Sequence, residues 1–274
     1  MRLSRRDRWV WGAGLLSAAL SGGVLLWLLV AALRVAGQGW GHSGILWDGS
    51  LLPAVVGTVW LVLIGFLVSA PVAIAAAIYL EELEPPASVA ALMRANAAAL
   101  ATVPSVVWGL FGAVVWVRTV GFGHSVIAGG LSLAALMLPV ELIAARDGLR
   151  AVPSGVREAA LALGASQWRA LWQVVVPTAL PRIVTGLVLA IARAAGEAAP
   201  LLMVGALAYA GFVPIDPSGG YTALPVQIFS WLLRPDGTWS AQAATGALLL
   251  LVVTLGMSSF AVWTRARRQR RIAE

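Results

Sequence analysis

The chain has 274 residues, 60% of them hydrophobic and only 11% charged, with 19 Lys+Arg against 12 Asp+Glu. A soluble domain carries about a quarter of its residues as charges, so the composition points to a membrane protein. No Cys is present, which excludes disulfides, thiolate metal sites and thiol nucleophiles, and every basic residue is Arg.

Apolar stretches long enough to cross a hydrocarbon core of about 30 Å recur at residues 9–33, 54–80, 95–117, 125–145, 183–205 and 243–262, predicting six spans in an all-α polytopic protein. The first is long for a signal-peptide core and closes without a small-residue cleavage site, so it reads as a retained helix behind a tail of residues 1–8. In the connection after it, Trp40 and Trp47 read as interfacial anchors. The second span runs through Thr58 and Pro71 to Tyr79 and meets the acidic cluster Glu81, Glu82 and Glu84, followed by Pro85-Pro86, which ends the helix on the cytoplasmic side. That acidic cluster is either a solvated helix end or a contact for a soluble partner. In the third span Arg94 sits at the boundary, and Pro104 interrupts a helix whose freed groups neighbours can satisfy. A turn at residues 121–123 makes the third and fourth spans adjacent and antiparallel. Gly109, Gly112, Gly129 and Gly130 would let backbones approach closely.

Glu141 follows Pro139 in the fourth span, with Arg146 as its expected partner. Residues 150–177 are polar and glycine-centred. Pro153 and Ser154 predict a helix start, Ser154 as the cap and Glu158 in the first turns near the helix dipole. Ala159, Ala160, Leu161 and Leu163 supply an apolar surface, Gly164 breaks the run, and residues 166–172 resume it. Two short helices joined by a tight turn would make a rigid knob with no nucleophile–base pair, which suits docking better than chemistry. An ordinary amphipathic linker is the alternative. In the fifth span Arg193 and Glu197 stand four apart, and an unpaired charge there would cost several kcal/mol. They form a self-neutralising pair, or Arg193 lies near an anion path, for which a guanidinium is well suited. In the connection 206–240, Pro214, Pro217, Gly219 and Gly220 mark turns, and residues 224–233 predict a short interfacial or re-entrant helix near Trp231 and Trp239. His42 and His124 are isolated and make no metal pattern.

If the N-terminus is cytoplasmic, the Arg residues of 2–8, of 146–182 and of 265–271, with Arg94, fall inside, leaving Arg34, Arg118 and Arg234 outside. Both termini are then cytoplasmic, as an even number of spans requires. The tail 264–274 reads as a topology anchor touching anionic membrane lipid, with no role for nucleic acid.

One segment carries a resemblance. Glu158-Ala159-Ala160, three residues, Gly164, nine residues and Val174-Val175-Val176-Pro177 resembles the signature of the membrane subunits of ATP-binding cassette importers, in which the last block is Ile-x-Leu-Pro. Residues 71–82, 102–112, 192–205 and 222–231 resemble segments of the phosphate-importer permeases, although relatives often have Thr at the place of Ala198 and Met near Tyr221. The resemblance implies a type I importer permease fold with a permease domain over 9–263. It implies that Glu158, Ala159, Ala160, Gly164 and Pro177 couple the chain to an ATPase, and that Arg193, Glu197 and Glu141 are candidates for the translocation path. It further implies two ATP-binding subunits holding ATP and Mg, a homologous permease as heterodimer partner, an extracytoplasmic phosphate-binding protein, phosphate as cargo and the bacterial inner membrane as location. This chain would bind no cofactor itself: lacking Lys, it has no Gly-x-x-x-x-Gly-Lys-[Ser/Thr] loop for a nucleotide. Other small oxyanions (molybdate, sulfate) are alternative cargoes; an intramembrane enzyme or a secondary transporter is the reading from another class.

Overall fold

Thirty residues without a charge, followed by Glu81-Glu82, form the helix α1 (Leu51–Glu82), which keeps Pro71 inside it. In the computed structural model the described residues are 30, 31, 33, 34, 51–83, 85–234 and 239–273. The other helices are α2 (Ala87–Ala101), α3 (Ser105–Gly112) with a π-helical continuation Ala113–Thr119, and α4 (Val126–Arg150). After them come α5 (Ser154–Ala162), then α6 (Gln167–Ala170), which passes through a π-helical turn Leu171–Val175 into α7 (Val176–Ala194). The last are α8 (Ala199–Val204), α9 (Leu224–Leu232) and α10 (Ser240–Ala273). No strand occurs among the described residues.

Four helices are long and apolar enough to cross a membrane: Leu51–Glu82, Val126–Arg150, Gln167–Ala194 and Ser240–Arg267. A fifth crossing is counted if α2 and α3, bent by 100°, form one broken span. Most of the expected span 9–33, like Trp40, His42, Trp47 and Glu84, lies outside the described residues. The third expected span, 95–117, is not one helix. Thr102 ends α2 and Pro104 stands as the N-cap of α3, because a proline has no amide to donate and forces the residue before it out of the helical region. The fifth, 183–205, also breaks: α7 stops at Ala194 and α8 starts after Ala198. Gly196 is a poor helix former and Pro200 has no amide to bond its carbonyl.

Helices α1 and α4 run parallel in close contact, and a Cβ on Gly130 would stand 2.7 Å from the Ile64 side chain. Helix α7 runs antiparallel to α4, with Gly148 against Ile183 and Gly186 against Ala144. One apolar cluster, including Ala73, Ala77, Leu142, Leu149, Val175 and Ile183, fills the Glu81 end. A second, including Leu61, Val126, Leu133, Leu201, Tyr221 and Val226, fills the α9 end. The predicted short helix of 224–233 is α9, and it is folded into the bundle, with Leu224, Val226, Gln227 and Trp231 buried. Thr58 Oγ1 accepts from the Leu224 amide at 2.8 Å and donates to the Ala54 carbonyl at 2.8 Å. The loop before α9 caps α4, whose Val126 and Ile127 amides donate to the carbonyls of Gly219 and Pro217.

Candidate functional site

The polar segment predicted as a knob projects from the Glu81 end. Helix α5 starts differently from the expectation: Pro153 is its N-cap and Ser154 its first residue, with no side-chain cap. It ends as expected at Gly164, whose φ is +84°. The Gly164 amide donates to Leu161 O (2.9 Å) and the Ala165 amide to Ala160 O (3.1 Å), a Schellman-type stop. A Cβ on Gly164 would meet nothing within 4 Å, so glycine is needed there for backbone conformation alone. Ser166 then caps the next helix, accepting from the Arg169 amide at 3.3 Å. That second helix is not short. It continues from Gln167 to Ala194, and its π-helical turn, Leu171–Val175, just precedes Pro177, which has no amide to donate.

No residue of α5 is buried. Glu158 and Ala159 are exposed and Ala160 is half-buried. Leu163 is 90% exposed and Trp168 62%, the latter edge-on to Trp172 with ring centroids 5.6 Å apart. The polar segment therefore carries an exposed apolar tip.

Behind the knob lies a charge network. Arg157 holds Glu82 through both carboxylate oxygens, Nη2 to Oε1 at 2.5 Å and Nε to Oε2 at 3.1 Å. Glu81 is shared by Arg146 and Arg150, each donating from Nε at 2.8 Å. Arg146 therefore serves Glu81 and not Glu141, its expected partner. The acidic end of α1 is neither simply solvated nor free, because its described carboxylates are engaged by α4 and α5.

Inside the bundle the charges are treated differently. Arg193 Nε and Glu197 Oε1 are 3.7 Å apart, an ion pair beyond hydrogen-bond length. They do not share a helical face, since α7 ends at Ala194 and Glu197 lies in the following turn. The Arg193 side chain is 56% exposed. Glu141 is fully buried, and neither carboxylate oxygen has a hydrogen-bond partner among the described residues. The Ser69 hydroxyl, beside it, donates instead to Gly65 O at 2.9 Å. On the α4–α7 register, Glu141 stands level with residues 189 and 190, about one turn from Arg193.

The helices that follow the two breaks, α3 and α8, pack closely. A Cβ on Gly109 of α3 would lie 2.5 Å from Pro200 Cα of α8. Trp108 packs with Phe66, Leu136, Met137, Ile191 and Ala194. Broken helices that expose backbone ends at membrane depth are a recurrent setting for transport sites. The interruption at Pro104 was expected from the sequence, whereas hydropathy alone missed the second break, whose signal was the Gly196–Pro200 spacing. His124, expected in a solvated turn, bonds Val204 O through Nδ1 at 2.7 Å and so caps α8. No group of three or more metal-ligating side chains occurs among the described residues.

Residues 69–270 match the family described as "Binding-protein-dependent transport system inner membrane component". The chain belongs to this family. The permease is 33% identical over 259 residues to "Phosphate transport system permease protein PstA 1" of Mycobacterium tuberculosis, covering 90% of this chain and 83% of the relative. It is 33% identical over 213 residues to "Phosphate transport system permease protein PstA" of Pasteurella multocida, covering 78% and 75%. A "Probable ABC transporter permease protein YqgI" of Bacillus subtilis is 34% identical over 165 residues, 60% of this chain and 56% of the relative. In fold, the permease is similar to a solved chain described as "Crystal structure of an amino acid ABC transporter with histidines", with a TM-score of 0.54 and 18% identity over 79% of this chain and 93% of that one. With its apolar helices and this family, the permease is a multi-pass protein of the bacterial inner membrane.

Proposed function

We propose that this chain is a permease subunit of an ATP-driven importer that carries inorganic phosphate into the cell. The observation that carries the reading is the knob: an exposed α5, a Gly164 stop and the bare Leu163 and Trp168 side chains, held at the acidic end of α1. Such a surface suits a groove on an ATP-binding subunit, with Glu158, Ala159, Ala160 and Gly164 at the contact and Pro177 shaping the helix behind it. Two such subunits hold ATP and Mg, and this chain holds neither. A homologous permease completes the pore as a heterodimer, and an extracytoplasmic binding protein delivers the anion.

Six spans with both termini in the cytoplasm fit the Arg distribution and put the knob on the same side as Arg146, Arg150 and Arg157. Phosphate as cargo is supported by the names of the relatives from Mycobacterium and Pasteurella. Arg193, exposed beside the break after Ala194, is the cation that would meet an anion there, with Glu197 as its counter-charge.

The test is uptake of labelled phosphate into proteoliposomes that contain the assembled complex, with ATP on the knob side and the binding protein on the other. ATP-dependent accumulation that resists excess sulfate and molybdate is expected. ATP hydrolysis without phosphate movement would overturn the cargo, and the absence of any associated ATP-binding subunit would overturn the importer reading in favour of a secondary transporter or an intramembrane enzyme.

A further inference from the structure

We propose that the Glu82–Arg157 ion pair is the tether through which α5 moves the transmembrane core, which makes both residues positioning residues for coupling; this rests on the reading of α5 as the helix that meets an ATP-binding subunit. Helix α5 buries no residue of its own. It packs against the π-helical turn and α6, both of which follow it in the chain. Between it and the end of α1 lies a cavity of about 270 Å³, lined by Glu82, Leu83, Arg157, Leu161, Gln167 and Trp168 among others. Apolar packing is thus thin where force must pass from α5 to α1, and the bidentate pair spans the gap.

The chemistry of the pair suits the task. A guanidinium that grips both oxygens of one carboxylate constrains direction as well as distance, which a single point charge does not. The Glu82 side chain is only 7% exposed, so separating it from Arg157 would leave a poorly solvated charge. The link therefore stays closed when α5 is displaced. The adjacent Glu81 holds Arg146 and Arg150, so the end of α1 is bound to α4. Displacement of α5 is transmitted to α1 and α4 as one body.

A double-mutant cycle in the complete complex tests this, with Glu82→Gln, Arg157→Gln and the double variant, each checked for co-purification of the ATP-binding subunits. The readout is labelled phosphate taken up per ATP hydrolysed. Each single variant is expected to lower that ratio about tenfold, about 1.4 kcal/mol of coupling, and the double variant no further than either single. Arg157→Lys, which keeps the charge without the fork, should fall between wild type and Arg157→Gln. If the Gln variants fail to assemble, Glu82→Asp and Arg157→Lys form the same cycle. Unchanged ratios, or effects that simply add, would overturn the tether alone. No ATP-driven uptake by the wild-type complex would overturn both it and the proposed function.

Discussion

Within about two and a half turns of α4 the same problem, a charge near or inside apolar surroundings, has two opposite solutions. Arg146 and Arg150 share the carboxylate of Glu81 at 2.8 Å each, whereas Glu141 is buried without a hydrogen-bond partner among the described residues. The paired end fixes geometry: it ties α1 to α4 and, through Glu82, to α5. The Glu141 carboxyl, beside Ser69, makes no tie between helices among the described residues, and a buried acid without a partner costs more than an apolar side chain in its place.

The comparison is broken most directly at Arg146. Arg146→Met should destabilise the protein by about 3 kcal/mol, because it strips one of two partners from a carboxylate that is mostly out of water; thermal unfolding in detergent measures it, and a loss too small to detect would mean that Arg150 alone satisfies Glu81. Glu141→Leu should act in the opposite direction, adding about 1–2 kcal/mol of stability. A fall in stability would show that the carboxyl has a partner after all, and lost uptake at raised stability would place Glu141 in the transport path. Gly164→Ala comes next, at about 1–2 kcal/mol for forcing a side chain into the left-handed region, an effect confined to the knob. Limited proteolysis between α5 and α6 should quicken, and transport per ATP should drop. Arg193→Met sharpens the contrast at its small end: with an exposed side chain and a 3.7 Å pair, it should shift stability by less than about 0.5 kcal/mol. Uptake should nonetheless fall further than in Arg118→Met at equal membrane abundance. Equal uptake would leave Arg193 as a surface charge.

How much of this was legible in the sequence follows the range of the forces involved. Hydropathy is a local property, so the long helices α1, α4 and α10 were predictable, and the Gly164 stop was legible because it depends on a few neighbouring residues. The partner of Arg146 was not, because it is set by the parallel register of α1 and α4, 65 residues apart in the chain; the expected partner, Glu141, was merely near in sequence. The helix breaks occupy a middle ground. Pro104 and the Gly196–Pro200 spacing were visible, but apolar windows average over them, and the bend of 100° between α2 and α3 is a geometric outcome that no average contains. The expectation that Arg193 and Glu197 share a helical face used helix spacing across a point where the helix had already ended.

The π-helical turn at Leu171–Val175 separates the part of its helix that bears Trp168 from the part that packs on α4. Such a turn holds more residues than an α-helical one, so the two parts are out of phase. The rotational setting of the knob is consequently adjustable independently of the seam buried in the bundle, and a one-residue deletion within this turn would re-aim Trp168 while leaving Ile183 against Gly148.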